Sequence, residues 1–314
     1  MSNCFSKLFT LKRVVDAKTL SGSSMAMDVM PYLYQFLYSG AFSKTGILKN
    51  SKGEITSYIE GFLKIVSWFK KNNIKLVVCM DGEHHTLLKS DTIKKRIDQR
   101  TKSRAPLDLL VAAGLELSEQ QKQSYEKSLL YIGLKEKRKI VDLCGLLGLE
   151  YYFEDFIQGQ KACIQLQKEK VVDYSITKDY DAFMYGGSFF STIDFKNNTL
   201  IYHDYHENIA SVCPLLTITD LRLCALCSGC DYTPGIARIG PKIALKRLLT
   251  DKQGLAQEAF LKIHHYQKII EYIERPLCMN FLFKKKVNPL GLTQFLKNQN
   301  FRDSSIARIL TEVL

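Results

Sequence analysis

The sequence lacks the long apolar run that a membrane-spanning helix requires, because its most apolar stretch, around residues 109–115, is far too short. Its first 15 residues carry charges among the apolar positions, unlike a secretory signal. We find no internal repeat and no linker rich in proline or glycine. The nine cysteines are scattered and odd in number, which favours free, mostly buried thiols in a reducing compartment over a disulfide framework.

Length and composition describe a globular chain with a strong positive charge. Its 314 residues are 46% apolar and 24% charged, enough to bury a core without disulfides or a structural metal. Lysine and arginine number 44 against 32 aspartate and glutamate residues, which gives a net charge of +12. Such an excess favours a polyanionic partner, and nucleic acid is a better candidate than an anionic membrane surface.

Strand-like and helical segments alternate along the chain. Three segments have the pattern of buried strands, and a helical pattern with apolar residues at helical spacing covers residues 55–71. The buried strands are predicted at residues 24–30, 75–80 and 171–177, and a hairpin is predicted from 189–195 and 199–204. The alternation predicts an α/β fold with a mainly parallel sheet and helices on both faces, in which ligands bind beyond the carboxyl ends of the strands.

Aspartates stand at or near the ends of these strands. Asp28 lies near the end of the first strand-like segment, Asp81 and the pair Asp179 and Asp181 follow the next two, and Asp231 follows a helix. If the strands are parallel neighbours, the carboxylates meet at one edge of the sheet, where they repel unless a cation neutralises them. Oxygen ligands suit Mg²⁺ or Mn²⁺, and two such ions can hold both the attacking and the leaving oxygen of a phosphodiester. For any single aspartate, the commoner alternative is a strand-end or helix-capping role.

These residues and their surroundings resemble the flap endonuclease/XPG family of structure-specific 5′ nucleases. The resemblance covers residues 26 to about 310, and the order and spacing of its motifs match as well as their letters. The motifs are MDVMPYLYQFL at 27–37, GEITS at 53–57, MDG at 80–82, KSDTIKKR at 89–96, SITKDYD at 175–181, SGCDY at 228–232 and GIARIGPK at 235–242.

The resemblance implies a PIN-like nuclease core with an inserted helical arch and a helix-three-turn-helix region that binds DNA. The corresponding boundaries are an N-terminal nuclease region at 1–88, the arch at 89–139, an internal nuclease region at 140–232, and the helix-three-turn-helix with C-terminal helices at 233–314. It further implies two Mg²⁺ ions, replaceable by Mn²⁺, held by Asp28, Asp81, Asp179, Asp181 and Asp231.

The resemblance also assigns residues to the DNA. Lys89 and Arg96 match the catalytic arch residues that contact the scissile phosphate, and their seven-residue spacing places them on one helix face. Tyr34 matches an aromatic residue that stacks on a base beside the cut. The segment expected to grip the duplex contributes Gly235, Ile236, Gly240, Lys242, Lys246 and Arg247. There the glycines let the main chain approach phosphate, and Pro241 starts a helix whose N-terminus faces an anion.

The sequence departs from the family at one pair of metal positions. Where the family carries Glu-x-Glu before the third strand, this chain has Gln158 and Gln160. The amides remove two negative charges, so affinity for a hard divalent ion should fall and one ion could replace two. Glu154 or Asp155 could compensate in part if the helix begins earlier.

We therefore predict a magnesium-dependent 5′ nuclease or flap endonuclease that cuts branched or gapped DNA in replication or repair by two-metal-ion hydrolysis. An alternative of a different class is a catalytically weak or inactive nuclease-like protein that binds branched DNA, and a third is an RNA-directed relative. The sequence contains no recognisable sliding-clamp motif near its end. We expect a monomer that has no membrane partner and works in the nucleus, or at a host nucleus or replication site if the chain is viral.

Overall fold

The structure is a computed structural model that describes residues 4–41, 49, 50, 52–82 and 87–314. The chain forms two compact units. The first unit contains Met1–Asp28, Asn72–Thr92 and Tyr152–Phe281. The second contains Val29–Lys71, Ile93–Tyr151 and Leu282–Leu314.

Strands and helices alternate within the described residues, as the sequence pattern predicts. The strands are β1 (Arg13–Asp16), β2 (Ser24–Asp28), β3 (Lys75–Cys79), β4 (Glu150–Tyr152), β5 (Tyr174–Ile176), β6 (Phe189–Asp194), β7 (Thr199–His203) and β8 (Leu282–Lys284). The helices are α1 (Cys4–Leu8), α2 (Met30–Ala41), α3 (Ser57–Lys71), α4 (Ser90–Ala112), α5 (Glu119–Leu129), α6 (Leu134–Leu146), α7 (Gly159–Lys168), α8 (Tyr205–Val212), α9 (Ile218–Ser228), α10 (Pro241–Thr250), α11 (Lys252–Lys262), α12 (Tyr266–Glu274), α13 (Pro289–Asn298) and α14 (Asp303–Val313).

The first unit is built on a sheet whose central strands are parallel. In this unit the strand order is β1-β7-β6-β5-β2-β3. Strand β2 is parallel to β3 and β5, β5 is parallel to β6, and β7 runs antiparallel to β6 and β1. The register sets Asp28 opposite Cys79 and Met27 opposite Ile176, so the segments after these residues leave the sheet at one edge. This arrangement confirms the predicted fold class and fixes where the aspartates emerge.

The core of the first unit packs α1, α9 and α10 around a group of buried aromatic side chains. Phe5, Phe9, Phe183 and Phe189 are buried together, and the Phe9 and Phe183 rings meet edge to face at 4.8 Å between centroids. Helix α9 is buried along most of its length, including Cys224 and Cys227. Because α9 is fixed by this core, the residues that follow it start from a rigid element.

The second unit is helical around α3. One face of α3 is apolar and buried, with Ile59, Phe62, Val66 and Phe69 among its core residues. Helix α2 approaches closely because Gly61 leaves room for the Phe36 ring: a Cβ atom there would lie 2.2 Å from it. Helix α14 packs on α3, and α13 packs on α6. Across the described residues, no helix combines the length and the apolar character needed to cross a bilayer.

Candidate metal centre

Three aspartates of the first unit come together at the edge of the sheet where the parallel strands end. Ligand oxygens of Asp179, Asp181 and Asp231 all lie within 4.8 Å of one another. Asp179 begins the 3₁₀ turn Tyr180–Tyr185, and its carboxylate accepts a hydrogen bond from the Asp181 backbone at 2.9 Å. Thr177 at the end of β5 holds the Asp179 backbone N–H with its hydroxyl at 3.2 Å. We call these three residues the aspartate cluster.

The loop that brings Asp231 to the cluster depends on two glycines. Gly229 ends α9 with φ +91°, and Gly235 has φ +80°. A Cβ atom on Gly235 would lie 2.5 Å from the Gly229 nitrogen and 2.7 Å from the Cys227 carbonyl oxygen. Cys230 and Thr233 close the loop by pairing their backbones on either side of Asp231. Only glycine fits this close approach of two backbone segments.

Lys89 places its ammonium group inside the aspartate cluster. Its Nζ lies 2.9 Å from Asp231 Oδ2 and 4.9 Å from the centre of the Tyr232 ring, and the residue is only 6% exposed. Burial works against the charged form, but the carboxylates of Asp231, Asp179 and Asp181 outweigh it and raise the pKa of Lys89. The lysine is therefore charged and acts as a counter-ion to the cluster.

One ammonium group does not neutralise three carboxylates. Burial raises the pKa of Asp179, with Asp231 adding to the shift and Lys89 opposing it. Burial likewise raises the pKa of Asp181 well above its usual value, and repulsion from Asp179 adds to it. Raised carboxylate pKa values at this spacing mean that additional positive charge would be stabilised here. Because all the donors are hard oxygen atoms, the residues present fit a divalent cation such as Mg²⁺ or Mn²⁺.

Asp28 and Asp81 have different neighbours. The Asp28 carboxylate accepts a hydrogen bond from the Thr177 hydroxyl at 3.0 Å, and its Oδ1 lies 2.9 Å from where a Cβ of Gly159 would stand. Asp81 Oδ1 accepts a hydrogen bond from the Gly159 backbone N–H at 2.9 Å. Within the described residues, these two carboxylates do not join the ligand-spaced group of the other three. They lie instead against the N-terminus of α7.

The two glutamines also lie at the start of α7. Gln158 is its N-cap residue and Gln160 is in its first turn. The Gln158 side-chain oxygen accepts a hydrogen bond from Tyr232 Oη at 2.6 Å, and Tyr232 Oη is 2.6 Å from Tyr185 Oη. The Gln160 side chain hydrogen-bonds Asp179, which lowers the pKa of that carboxyl in opposition to burial. Sequence reasoning missed the tyrosines, although Tyr232 directly follows Asp231 in the SGCDY motif.

The condition set for compensation by Glu154 or Asp155, an earlier start of the helix, is not met. Helix α7 begins at Gly159 and not earlier. Glu154 is buried and pairs with Arg275, whose Nη2 lies 2.5 Å from Glu154 Oε1, and it accepts a hydrogen bond from Tyr152. Its charge is thus matched away from the aspartate cluster.

The residues predicted to bind duplex DNA lie on the loop after Asp231 and on α10. Gly240 caps α10 and Pro241 is its first residue, while Lys242 and Lys246 are exposed. Arg247 is already paired, with Nη1 at 2.6 Å from Glu258 Oε2. Ile236 is buried and donates its backbone N–H to Cys227. It therefore contributes packing through its side chain.

Two predicted DNA contacts belong to the second unit. Tyr34 is half-buried on α2, and its ring stacks on Tyr38 with 5.9 Å between centroids. The backbone of Arg96 forms part of α4, but its side chain lies outside the described residues.

Comparison with known proteins finds similarity to one family of nucleases. The family model described as the XPG N-terminal domain matches residues 4–103. Flap endonuclease 1 of Methanococcus aeolicus is 29% identical over 310 residues, covering 96% of this chain and 91% of the relative. Flap endonuclease 1 of Methanococcoides burtonii is 31% identical over 251 residues, covering 75% of this chain and 72% of the relative.

A solved structure extends the similarity to the fold. Flap endonuclease-1 from Methanococcus jannaschii superimposes with a TM-score of 0.74 at 23% identity, covering 98% of this chain and 96% of that one. The topology described above is therefore similar along nearly the whole length of both chains.

Proposed function

This chain belongs to the flap endonuclease/XPG family and is a metal-dependent, structure-specific nuclease for branched DNA, and we propose that the aspartate cluster is its catalytic metal site. The observation that carries the proposal is the convergence of Asp179, Asp181 and Asp231 within 4.8 Å. The family relationship favours this reading over a nuclease-like protein that binds branched DNA without cutting it. A bound Mg²⁺ or Mn²⁺ would supply Lewis-acid activation of a water and stabilise charge on the phosphate.

Lys89 is the residue best placed to contact the scissile phosphate. Its ammonium group lies at the carboxylates, where it balances charge while the cluster holds no other cation. Once a metal neutralises the cluster, the same ammonium group is available to a phosphate oxygen, where it stabilises the negative charge that develops during hydrolysis. We propose the same role for Arg96, whose backbone belongs to α4, and a base-stacking role for Tyr34.

The loop after the cluster and α10 supply the proposed grip on duplex DNA. The N-terminus of α10 offers the backbone N–H groups of Gly240 and Lys242, since Pro241 between them has none, and a helix N-terminus favours an anion. Lys242 and Lys246 are exposed on the same helix and four residues apart, so both side chains lie on one face. This surface is continuous in sequence with the loop that carries Asp231. A phosphate bound at α10 therefore positions the strand relative to the metal site, and we propose that a monomer suffices.

The test is cleavage of a labelled 5′-flap duplex by the purified protein with Mg²⁺ or Mn²⁺. We expect cutting near the junction, loss of cutting with EDTA, and little cutting of single strands or intact duplex. A flap substrate with an RNA 5′ strand, run in competition, distinguishes a DNA enzyme from an RNA-directed one. Tight flap binding with no product under either metal would instead support the binding-only alternative.

A further inference from the structure

We propose that the active site of this chain holds one divalent cation, bound by the aspartate cluster, and that the N-terminus of α7 with its two glutamines takes the place of a second. The inference rests on the proposed function and concerns the metal content of the same site. The observations that support it are the hydrogen bonds and close contacts of Gln158, Gln160, Asp28 and Asp81.

The Gln158 side-chain oxygen is already used as a hydrogen-bond acceptor. Tyr232 donates to it at 2.6 Å, and Gln160 Nε2 lies 3.5 Å away. Tyr185 lies 2.6 Å from Tyr232, so the two hydroxyls and the amide oxygen form a chain with Tyr185 as the outer donor. A metal ion would need the lone pairs that these donors engage.

Gln160 places a second neutral amide beside Gln158. It is buried in the first turn of α7, and its Nε2 lies 3.5 Å from the Gln158 side-chain oxygen. An amide N–H donates to an oxygen acceptor with no cation between them, whereas two facing carboxylates repel unless a cation or proton separates them. The amides at positions 158 and 160 can therefore lie side by side without a positive charge between them.

Asp28 and Asp81 lie against the backbone at the start of α7. The Gly159 N–H donates to Asp81 at 2.9 Å, and the absence of a Gly159 side chain lets Asp28 approach the same point. The first N–H groups of a helix are unpaired within the helix and carry partial positive charge. These groups offset the two carboxylates at a place where a second cation would otherwise be needed. Two neutral donors, the Gly159 N–H and the Thr177 hydroxyl, thus contact the two carboxylates on this side of the site.

The number of bound ions can be measured without DNA and without catalysis. Mn²⁺ is titrated into the metal-free protein while the signal of free Mn²⁺ is followed by electron paramagnetic resonance, and calorimetry with Mn²⁺ gives an independent stoichiometry. We expect one tight Mn²⁺ per chain for the wild-type protein. Two tight ions per chain, or none, would overturn the proposal.

A second experiment measures Mn²⁺ binding after carboxylates are introduced at the start of α7. The double variant Gln158→Glu/Gln160→Glu is expected to bind two Mn²⁺, because the acidic side chains add the charge that the helix N-terminus does not supply. The matched control is Gln253→Glu/Gln257→Glu on α11, which adds the same two charges at exposed positions and should still bind one. Circular dichroism establishes that each variant is folded. A folded double variant that still binds one ion would refute the role given to the two glutamines.

The outcomes separate this inference from the proposed function. A protein that cuts flaps but binds two ions is a nuclease with an ordinary metal content, and only the inference fails. A protein that binds one ion and cuts no substrate retains the inference and loses the function.

Discussion

Two acidic groups lie at the same edge of the sheet of the first unit, yet their carboxylates have different neighbours. Asp179, Asp181 and Asp231 face one another, and the ammonium group of Lys89 lies among them. Asp28 and Asp81 face the backbone at the start of α7 and the Thr177 hydroxyl. The residue type is the same in both groups, so the difference arises from what the neighbouring elements donate.

The comparison shows how a fold can decide between a metal ligand and a structural carboxylate. A carboxylate that meets backbone N–H groups is satisfied without an ion. A carboxylate that meets other carboxylates keeps an excess of negative charge and a raised pKa, which makes it a ligand for a cation. Removing members of each group is therefore the most direct way to test whether the two groups act separately.

The largest expected effect is the loss of metal binding in Asp181→Asn. We expect its Mn²⁺ affinity and its flap cleavage to fall by more than about 100-fold, since loss of even an outer-shell partner costs roughly 10–100-fold. Asp81→Asn should retain one bound Mn²⁺ and instead lower the free energy of unfolding by about 1 kcal/mol, because the helix N-terminus loses its anion. Calorimetry and urea denaturation measure the two effects. If the two variants lost Mn²⁺ affinity equally, the two acidic groups would belong to one metal site, and the distinction drawn here would be wrong.

The strand-end aspartates could be predicted because they depend on local patterns. The apolar runs before Asp28 and Asp81 indicate buried strands, and parallel strands bring their ends to one edge. Strand β5 is shorter than the predicted 171–177, and Asp173, just before it, accepts hydrogen bonds from the Ser24 backbone at 2.7 Å and from its hydroxyl at 2.8 Å. Such side-chain contacts at strand ends have no periodic signature.

The partners of these aspartates could not be predicted from one sequence. Lys89 meets Asp231 across 142 residues, and Gln158 meets Tyr232 across 74. A single sequence contains no information on which distant residues pair, and a tyrosine beside an aspartate is equally compatible with the core. The sequence shows that Gln158 and Gln160 lack the two negative charges of the family pattern. The hydrogen bonds that these side chains make instead appear only in the structure.

Lys161 is a buried lysine in the first turn of α7, the helix whose N-terminus lies against Asp28 and Asp81. It is fully buried, its ammonium donates to the Tyr272 carbonyl, and it lies 4.6 Å from the centre of the Tyr272 ring. Burial, with a contribution from Arg275, lowers the pKa of Lys161 to about 7. The unfolded chain therefore binds more protons than the folded one from about pH 7 up to the usual lysine pKa. Stability should rise with pH across that window and carry the full penalty below it.

Replacing that lysine should stabilise the protein and flatten its pH dependence. At pH 7 we expect Lys161→Met to raise the free energy of unfolding by about 2–4 kcal/mol, with a gain that shrinks as the pH approaches 10. Urea denaturation at several pH values measures it, and Lys268→Met, an exposed lysine on α12, should show no such trend. A less stable Lys161→Met protein at pH 7 would mean that the buried charge supports the acidic residues after all.

The loop that carries Asp231 offers a test of the aspartate cluster through backbone geometry alone. Gly235→Ala should lower the free energy of unfolding by about 2 kcal/mol, because its φ of +80° and the backbone at 2.5 Å both resist a Cβ atom. The Mn²⁺ affinity should fall with it as Asp231 shifts. Gly240→Ala, with nothing within 4 Å of the added atom, should cost less than about 1 kcal/mol. Thermal and urea unfolding compare the two, and equal losses would remove the special role of the loop.

The smallest expected effect separates the two roles proposed for Lys89. Its ammonium group competes with any cation for the carboxylates, because it lies 2.9 Å from Asp231 and draws on all three charges. Lys89→Met should therefore bind Mn²⁺ about tenfold more tightly, equivalent to roughly 1.4 kcal/mol, while flap cleavage falls because the phosphate contact is lost.

The matched control is Lys94→Met, which replaces an exposed lysine on α4 and should leave Mn²⁺ affinity unchanged. Opposite changes in affinity and cleavage distinguish competition from simple damage to the site, since damage would weaken both. An unchanged or weaker Mn²⁺ affinity in Lys89→Met would show that the lysine does not act as a resident cation, and the contrast between the two acidic groups would then rest on the α7 contacts alone.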